Sequence, residues 1–355
     1  MCAKLEMSIV IILRYGRVLW QLLRPKTAAL LILQTLLVWM IVCGDLPSWW
    51  QLTVIVVLIS CWYMHAVAVN DLSDYEVDMI NLTHRDDASD RPLVNQSSDS
   101  KSLWMILHIL EIILIGLWAA IDMRSVWCAV VLLFLNYAYS MRPFRISARG
   151  VLALLLLPVG YVLYPAELVY MLGESHMTVE ITISIAGLFM LFMGRLFLKD
   201  FRDEKGDRAT GKRTFLVRHG SKATLIISGG LMAIGVAAMW FASRHFQIGL
   251  GLIASFVIGG AWWCLWRCCY EHALADRLVY IALAGRLMSW WVFMLLLAGL
   301  LSIYHVQMVQ SVYLLAVAAA MFAMALWWLF SSKHDKTCIA PESHIEKNES
   351  HNSSN

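Results

Sequence analysis

Residues 54–78 read VIVVLISCWYMHAVAVNDLSDYEVD. An apolar run ends without warning in an asparagine, three aspartates and a glutamate. Extended back to Trp50, the run reaches the roughly 20 residues a helix needs to cross a hydrocarbon core. Acid at the end of such a helix calls for positive charge from elsewhere, because ionisable groups near membrane depth are costly and functional by default.

The rest of the chain has the same apolar character. It has 355 residues, 60% hydrophobic and only 15% charged, with mean hydropathy +0.67. A soluble domain is nearer a quarter charged. Sixteen Trp and 19 Met suit a membrane bundle with aromatic interfaces and adaptable packing. The net charge of +3 singles out no partner, and no nucleic-acid partner is expected. The eight cysteines form no C-x-x-C pair, and most lie in apolar segments, where Cys behaves as a small hydrophobe. Cys264, Cys268 and Cys269 lack the partners that would complete a metal site.

Apolar segments begin near Ala28, Trp50, Ser102, Val126, Gly150, Thr178, Ala223, Gln247, Met288 and Ser311. The expected fold is all-α, a multi-pass bundle of nine or ten spans with its active site in a central cavity at the cytoplasmic side. Residues 1–27 read as an amphipathic interfacial segment, 28–332 as the membrane domain and 333–355 as a polar, disordered cytoplasmic tail. With the N-terminus inside, the loops 71–101, 141–149, 199–222 and 268–287 and the tail fall on one side. Of 28 Lys and Arg, only Arg124 and Arg244 fall in the loops of the other side. By the positive-inside rule both termini are cytoplasmic, in a plasma (inner) membrane.

Asn70, Asp74 and Asp78 are spaced i, i+4, i+8 and share a face if the helix continues, with Asp71 beside them and Glu76 pointing away. A second cluster, KDFRDEKGD at 199–207, ends the sixth span on the same side. There Asp203 and Asp207 are i, i+4, with Asp200 one turn earlier. Facing carboxylates repel unless a cation lies between them. Oxygen-only ligands select hard ions, and Mg²⁺ takes a few carboxylates with water and substrate phosphate. Nearby Arg91, Arg142, Arg145, Lys199 and Arg202 suit a diphosphate. Arg195 and Arg286 interrupt apolar segments; for Arg195, one turn before Lys199, cavity lining and snorkelling to the headgroups are the two accounts. His65 reads as a hydrogen-bonded bundle residue, and Gly229-Gly230 and Gly259-Gly260 as points of close helix packing.

These residues resemble the UbiA-type intramembrane prenyltransferase family. Its first motif, N-D-x-x-D-x-x-x-D, is filled by Asn70, Asp71, Asp74 and Asp78, followed by Asn81 and then R-P-L at Arg91–Leu93. Tyr139–Gly150, YSMRPFRISARG, is similar to a pattern after the fourth span. Lys199, Asp200, Asp203, Gly206 and Asp207, then Gly211 and Thr214, resemble the second motif. The matches cover about residues 20 to 220. This chain departs from the family in VNQSS after R-P-L, in the extra acids Asp86, Asp87 and Asp90, and in Arg142 where many members have proline.

The resemblance implies an enzyme that transfers a prenyl group from an isoprenyl diphosphate to an aromatic or other lipophilic acceptor within the lipid bilayer. It implies Mg²⁺ held by Asn70, Asp71, Asp74, Asp78, Asp200, Asp203 and Asp207, with Asp71, Asp74, Asp203 and Asp207 central to catalysis. Substrate would be bound by Arg91, Tyr139, Arg142, Arg145 and Lys199. Phosphoribosyl transfer to a polyprenyl phosphate is an alternative on the same fold. A cation or solute transporter fits less well, because the acids gather at one membrane face and not at mid-bilayer.

Overall fold

The computed structural model describes residues 2–82, 91–173, 175–242, 248–271, 274–307, 309–316 and 318–319. Backbone groups in hydrocarbon must be satisfied within their own segment, so the apolar runs fold as helices. No strand occurs among the described residues. Helix α1 (Cys2–Leu23) meets α2 (Pro25–Cys43) at Arg24, whose backbone is left-handed (φ 43°). Pro25 opens α2, where its missing N–H costs nothing.

Helix α3 (Trp49–Ser73) and the short α4 (Tyr75–Leu82) are divided at Asp74. The Asp74 amide still donates to the Asn70 carbonyl (2.9 Å), and the Asp78 amide to the Asp74 carbonyl (2.8 Å). The ladder therefore passes through the break and carries the acidic register with it. Asp99 caps α5 (Ser100–Ile121) by accepting from the Ser102 amide at 2.7 Å. Helix α6 (Val126–Ser140) follows.

The fifth apolar segment is not one regular helix. α7 (Val151–Pro158) passes through a π-helical turn at Val159–Leu163 into α8 (Tyr164–Gly173). Pro158 supplies no N–H to the helical ladder, which favours irregularity there. The Tyr161 carbonyl in this turn accepts from Gln34 Nε2 of α2 at 2.8 Å.

Helix α9 (Val179–Ala209) has 31 residues, or about 46 Å at 1.5 Å per residue. A hydrocarbon core is about 30 Å thick, so the charged end extends beyond it as helix. The rest of the bundle is α10 (Phe215–Ala242), α11 (Ile248–Tyr270) and α12 (Leu274–Ile303). Much of the expected loops 199–222 and 268–287 is thus helical, because hydration does not interrupt a helix that the membrane has already started. Eight stretches of the described residues are long and apolar enough to cross a membrane. At 23 residues, α11 has the length for another. Asp86, Asp87 and Asp90, residues 333–355 and most of the tenth expected span lie outside the described residues.

The tightest glycine packing is not at the Gly-Gly pairs. A Cβ on Gly230 or Gly259 would meet nothing within 4 Å. On Gly194 it would stand 2.8 Å from the Ser228 carbonyl oxygen, and on Gly235 2.5 Å from the Gly187 carbonyl oxygen. These positions are seven apart on each helix, two turns, so α9 and α10 meet along paired small-residue faces. Ser228 Oγ donates to the Gly194 carbonyl at 2.7 Å and secures the contact. Gly235→Val should therefore force the helices apart and cost about 1–3 kcal/mol, while Gly230→Val should be near neutral. Thermal unfolding in detergent compares the two, and equal melting temperatures would contradict this packing.

Candidate active site

The carboxyl-terminal ends of α3 and α9 bring the two acidic clusters together at one end of the bundle. Asp71 is buried (2% exposed) and receives Arg24 Nη2 at 3.0 Å. It also receives Arg91 Nη1, which lies 3.2 Å from Asp78 Oδ2. Arg145 Nη2 donates to Asp74 Oδ1 at 3.3 Å. Lys212 joins the clusters directly: its Nζ lies 3.5 Å from Asp74 Oδ2 and 3.6 Å from Asp207 Oδ1. Arg24 and Arg145 both have left-handed backbones (φ 43° and 36°), uncommon for non-glycine residues and found where surroundings over-determine them.

Lys212 is placed by the way α9 ends. Gly211 has φ 71°, a conformation glycine adopts without a Cβ clash. The turn lets the Lys212 amide donate to the Asp207 carbonyl at 2.8 Å, closing the helix in the manner of a glycine C-cap. Beyond it, Thr214 Oγ1 accepts from the Val217 amide at 3.4 Å and starts α10. The G-K-R-T sequence is therefore the hinge that folds a cation back over the acids.

A cavity beside these groups is lined by Tyr139, Lys199, Asp200, Asp203, Asp207 and Lys212. Asp203 also accepts from Arg202 Nε at 3.1 Å. Asn70 lies half-buried in the last turn of α3, its carbonyl accepting from Ser73 Oγ. Glu76 is exposed. Arg142 is exposed after α6 and stays outside the cavity lining. Sequence reasoning misses two of the cations, Arg24 and Lys212. Lys212 has a local signal in its place between Gly211 and Thr214; Arg24, 47 residues before Asp71, has none.

The available donors for a cation are all oxygen. Among the described residues, no three His, Cys, Asp or Glu side chains gather as a ready-made metal cage. Yet Asp71 Oδ2, Asp78 Oδ2 and Asp207 Oδ1 are buried and accept no hydrogen bond, although Arg91 and Lys212 lie at ion-pair distance from the last two. His65 is elsewhere, buried among Glu111 (Nε2 to Oε1, 3.3 Å) and Asn136 (Nδ2 to Nδ1, 3.0 Å).

Residues 31–281 match the UbiA prenyltransferase family, and the chain belongs to that family. It is an integral multi-pass membrane protein and an enzyme of the prenyltransferase class. Over 240 residues it is 27% identical to digeranylgeranylglyceryl phosphate synthase of Thermococcus kodakarensis, covering 66% of this chain and 80% of the relative. It is 26% identical to the chloroplastic chlorophyll synthase of Oryza sativa subsp. japonica, covering 63% of this chain and 61% of that protein. A UbiA homolog from Archaeoglobus fulgidus, solved with DMAPP and Mg²⁺, superposes with a TM-score of 0.57 at 17% identity, covering 78% of this chain and 98% of the other.

Burial pushes Asp78 up from 3.8 to about 6 against the pull of Arg91, and burial likewise pushes Asp207 to about 6 against Lys212. For Lys212, burial lowers the ammonium pKa, but Asp74 and Asp207 outweigh it and the net shift is upward. A carboxyl with a raised folded pKa binds more protons folded than unfolded between the two values. Its contribution to the ligand-free protein therefore falls as pH rises from about 4 to about 6. Asp207→Asn should remove part of that slope in thermal unfolding followed from pH 4.5 to 7. An unchanged slope would show that Asp207 titrates normally.

Proposed function

We propose that this enzyme transfers a prenyl group from an isoprenyl diphosphate to an aromatic or other lipophilic acceptor in the bilayer, with Mg²⁺ as cofactor. The observation that carries this reading is the Lys212 bridge, which presents paired acids and exchangeable cations together at the cavity. Both termini are read as cytoplasmic, on the side of the site, in a plasma membrane.

Asp71 Oδ2, Asp78 Oδ2 and Asp207 Oδ1 are buried and accept no hydrogen bond, the last two facing only the exchangeable cations Arg91 and Lys212, and this supports a divalent ion that completes its shell with substrate phosphate. Asn70, Asp71, Asp74, Asp78, Asp200, Asp203 and Asp207 are the side chains that would hold it. The homolog solved with DMAPP and Mg²⁺ supports the same pairing. When bound, Mg²⁺ neutralises the diphosphate and makes it a better leaving group.

The chain's own cations do the remaining electrostatic work. Arg91, Arg145, Lys199 and Lys212 donate to phosphate oxygens, Arg as a fork and Lys as a point charge. Arg91 and Lys212 are held by acids in the free site, so an arriving diphosphate exchanges those partners. The prenyl tail lies among the apolar helices. Its allylic C–O bond breaks, the diphosphate leaves, and an electron-rich acceptor captures the carbocation. Tyr139 lines the path, and aromatic walls stabilise positive charge by about 0.5–2 kcal/mol per cation–π contact. A closed cavity keeps water from intercepting the cation.

Purified protein given labelled geranylgeranyl diphosphate, Mg²⁺ and membrane lipid extract should release pyrophosphate and label a lipid. Asp74→Ala and Asp203→Ala should each lower that rate by about 100-fold or more while the protein stays folded in the membrane. Chelation should have the same effect, reversed by added Mg²⁺. Full activity in both variants would remove the acids from the mechanism; labelling without pyrophosphate release would favour a different group transfer.

A further inference from the structure

A polar cluster outside the site above centres on Glu111 of α5. His65 Nε2 of α3 lies 3.3 Å from Glu111 Oε1, which also accepts from the Tyr137 hydroxyl of α6. His108 Nδ1, one turn before Glu111 on α5, lies 2.8 Å from Oε2. Asn136 Nδ2 donates to His65 Nδ1 at 3.0 Å, so His65 carries its hydrogen on Nε2 and turns it to the carboxylate.

The cluster looks away from the cavity. His65 precedes Asp74 by about two and a half helical turns, so the two stand on opposite sides of the helix. Tyr137 lies two residues before Tyr139, which lines the cavity, and points to another side of α6. The outermost member, His108, has a side chain 61% exposed. Met105, Ile109 and Ile112 around it are exposed as well, so this face of α5 meets lipid. Trp104, one turn nearer the charged end, lies 5.8 Å from the His108 ring and stacks on Tyr137 at 6.5 Å. Tryptophan favours the headgroup level of a bilayer, and His108 is about 6 Å deeper along the helix.

An ionisable side chain at that depth is costly unless something partners it. Imidazole lacks the long stem with which Lys and Arg reach the headgroups. With Nδ1 committed to Glu111, Nε2 makes no hydrogen bond among the described residues. The partner therefore arrives through the membrane, and its chemistry is constrained. Both Glu111 oxygens already hold protein donors, which leaves little for a lipid ammonium. A lipid phosphate would meet the Glu111 charge. A hydroxyl suits the imidazole in either protonation state, donating to a bare Nε2 or accepting from Nε2–H. The exposed Trp104 ring offers a surface for the apolar body that carries it.

We propose that His108, backed by Glu111 and flanked by Trp104, is a lateral binding site for a neutral lipid bearing a free hydroxyl. The site is separate from the acidic cavity, and the proposal does not depend on the prenyl-transfer reading. Glu111 ties α5 to α3 and α6, so the occupied face adjoins the two helices that carry Asp71 and Tyr139.

The test uses full-length protein in phosphatidylcholine nanodiscs, whose lipids carry no hydroxyl. The probe is hexadecanol with a photoreactive diazirine in its chain, and mass spectrometry locates the crosslinks. Hexadecanol, its methyl ether and hexadecyl phosphate serve as competitors. Crosslinks should fall on α5 within residues 104–112. Hexadecanol should compete there about fivefold or more better than the ether or the phosphate, the scale of one hydrogen bond in a bilayer. His108→Leu, which places an apolar side chain against lipid, should keep its melting temperature and lose that preference. His108→Gln, whose amide both donates and accepts, should keep part of it. Equal competition by alcohol and ether in the wild type would overturn the proposal, as would an undiminished preference in His108→Leu. Stronger competition by hexadecyl phosphate would overturn it by making the site one for anions. Crosslinking on α5 that vanishes when two copies share a nanodisc would also overturn it, by giving this face to a second copy.

Discussion

Lys212 lies between Asp74 and Asp207 at 3.5 and 3.6 Å, and this contact ties together two parts of the chain that are otherwise unlike. One acid ends an apolar helix near the beginning of the sequence; the other lies at the charged end of the longest helix. Brought together alone they would repel. A lysine carried on the turn after the second acid changes that balance. It holds the two helix ends at one mouth of the bundle without filling the space between them. The same contact leaves an ammonium ready for an anionic substrate. Structural need and substrate recognition are met by one side chain that can change partners.

Helix α9 shows how the membrane portion serves that mouth. Gly187 and Gly194 bring it against α10 with almost no space between the backbones. A helix held so closely cannot roll, so the stripe of Lys199, Asp203 and Asp207 keeps its direction at the charged end. Precision at the charged end therefore comes from the absence of side chains deeper in the bilayer. The π-helical turn after Pro158 does related work on the opposite side, freeing a carbonyl for Gln34 and setting Tyr161 against Phe192.

Much of the site is legible in the sequence. The acids of both clusters, Arg91, Arg145 and Lys199 stand in recognisable patterns, and helical spacing alone aligns Asp74 with Asp78. The partners of the acids are harder to assign. Arg24 contributes from another helix, and nothing local marks it. Lys212 sits between a glycine and a threonine that share one pattern, and only the turn at Gly211 aims it at the acids. Arg142 and Arg145 look equivalent as residues, but the turn between them directs only Arg145 to an acid. The Gly-Gly pairs suggest close packing, whereas the actual contacts use single glycines two turns apart. Adjacent residues on a helix point in two directions, so only one of a pair can face a given neighbour.

The sequence by itself determined the solvent of this protein, its helical class and the two acidic registers, because hydrophobic length and helical periodicity are local properties. It also determined that positive charge had to meet the acids. Tertiary structure decided which positive charges those are. Ion pairing depends on distances between helices, and those are set by packing contacts dozens of residues removed from the charges themselves.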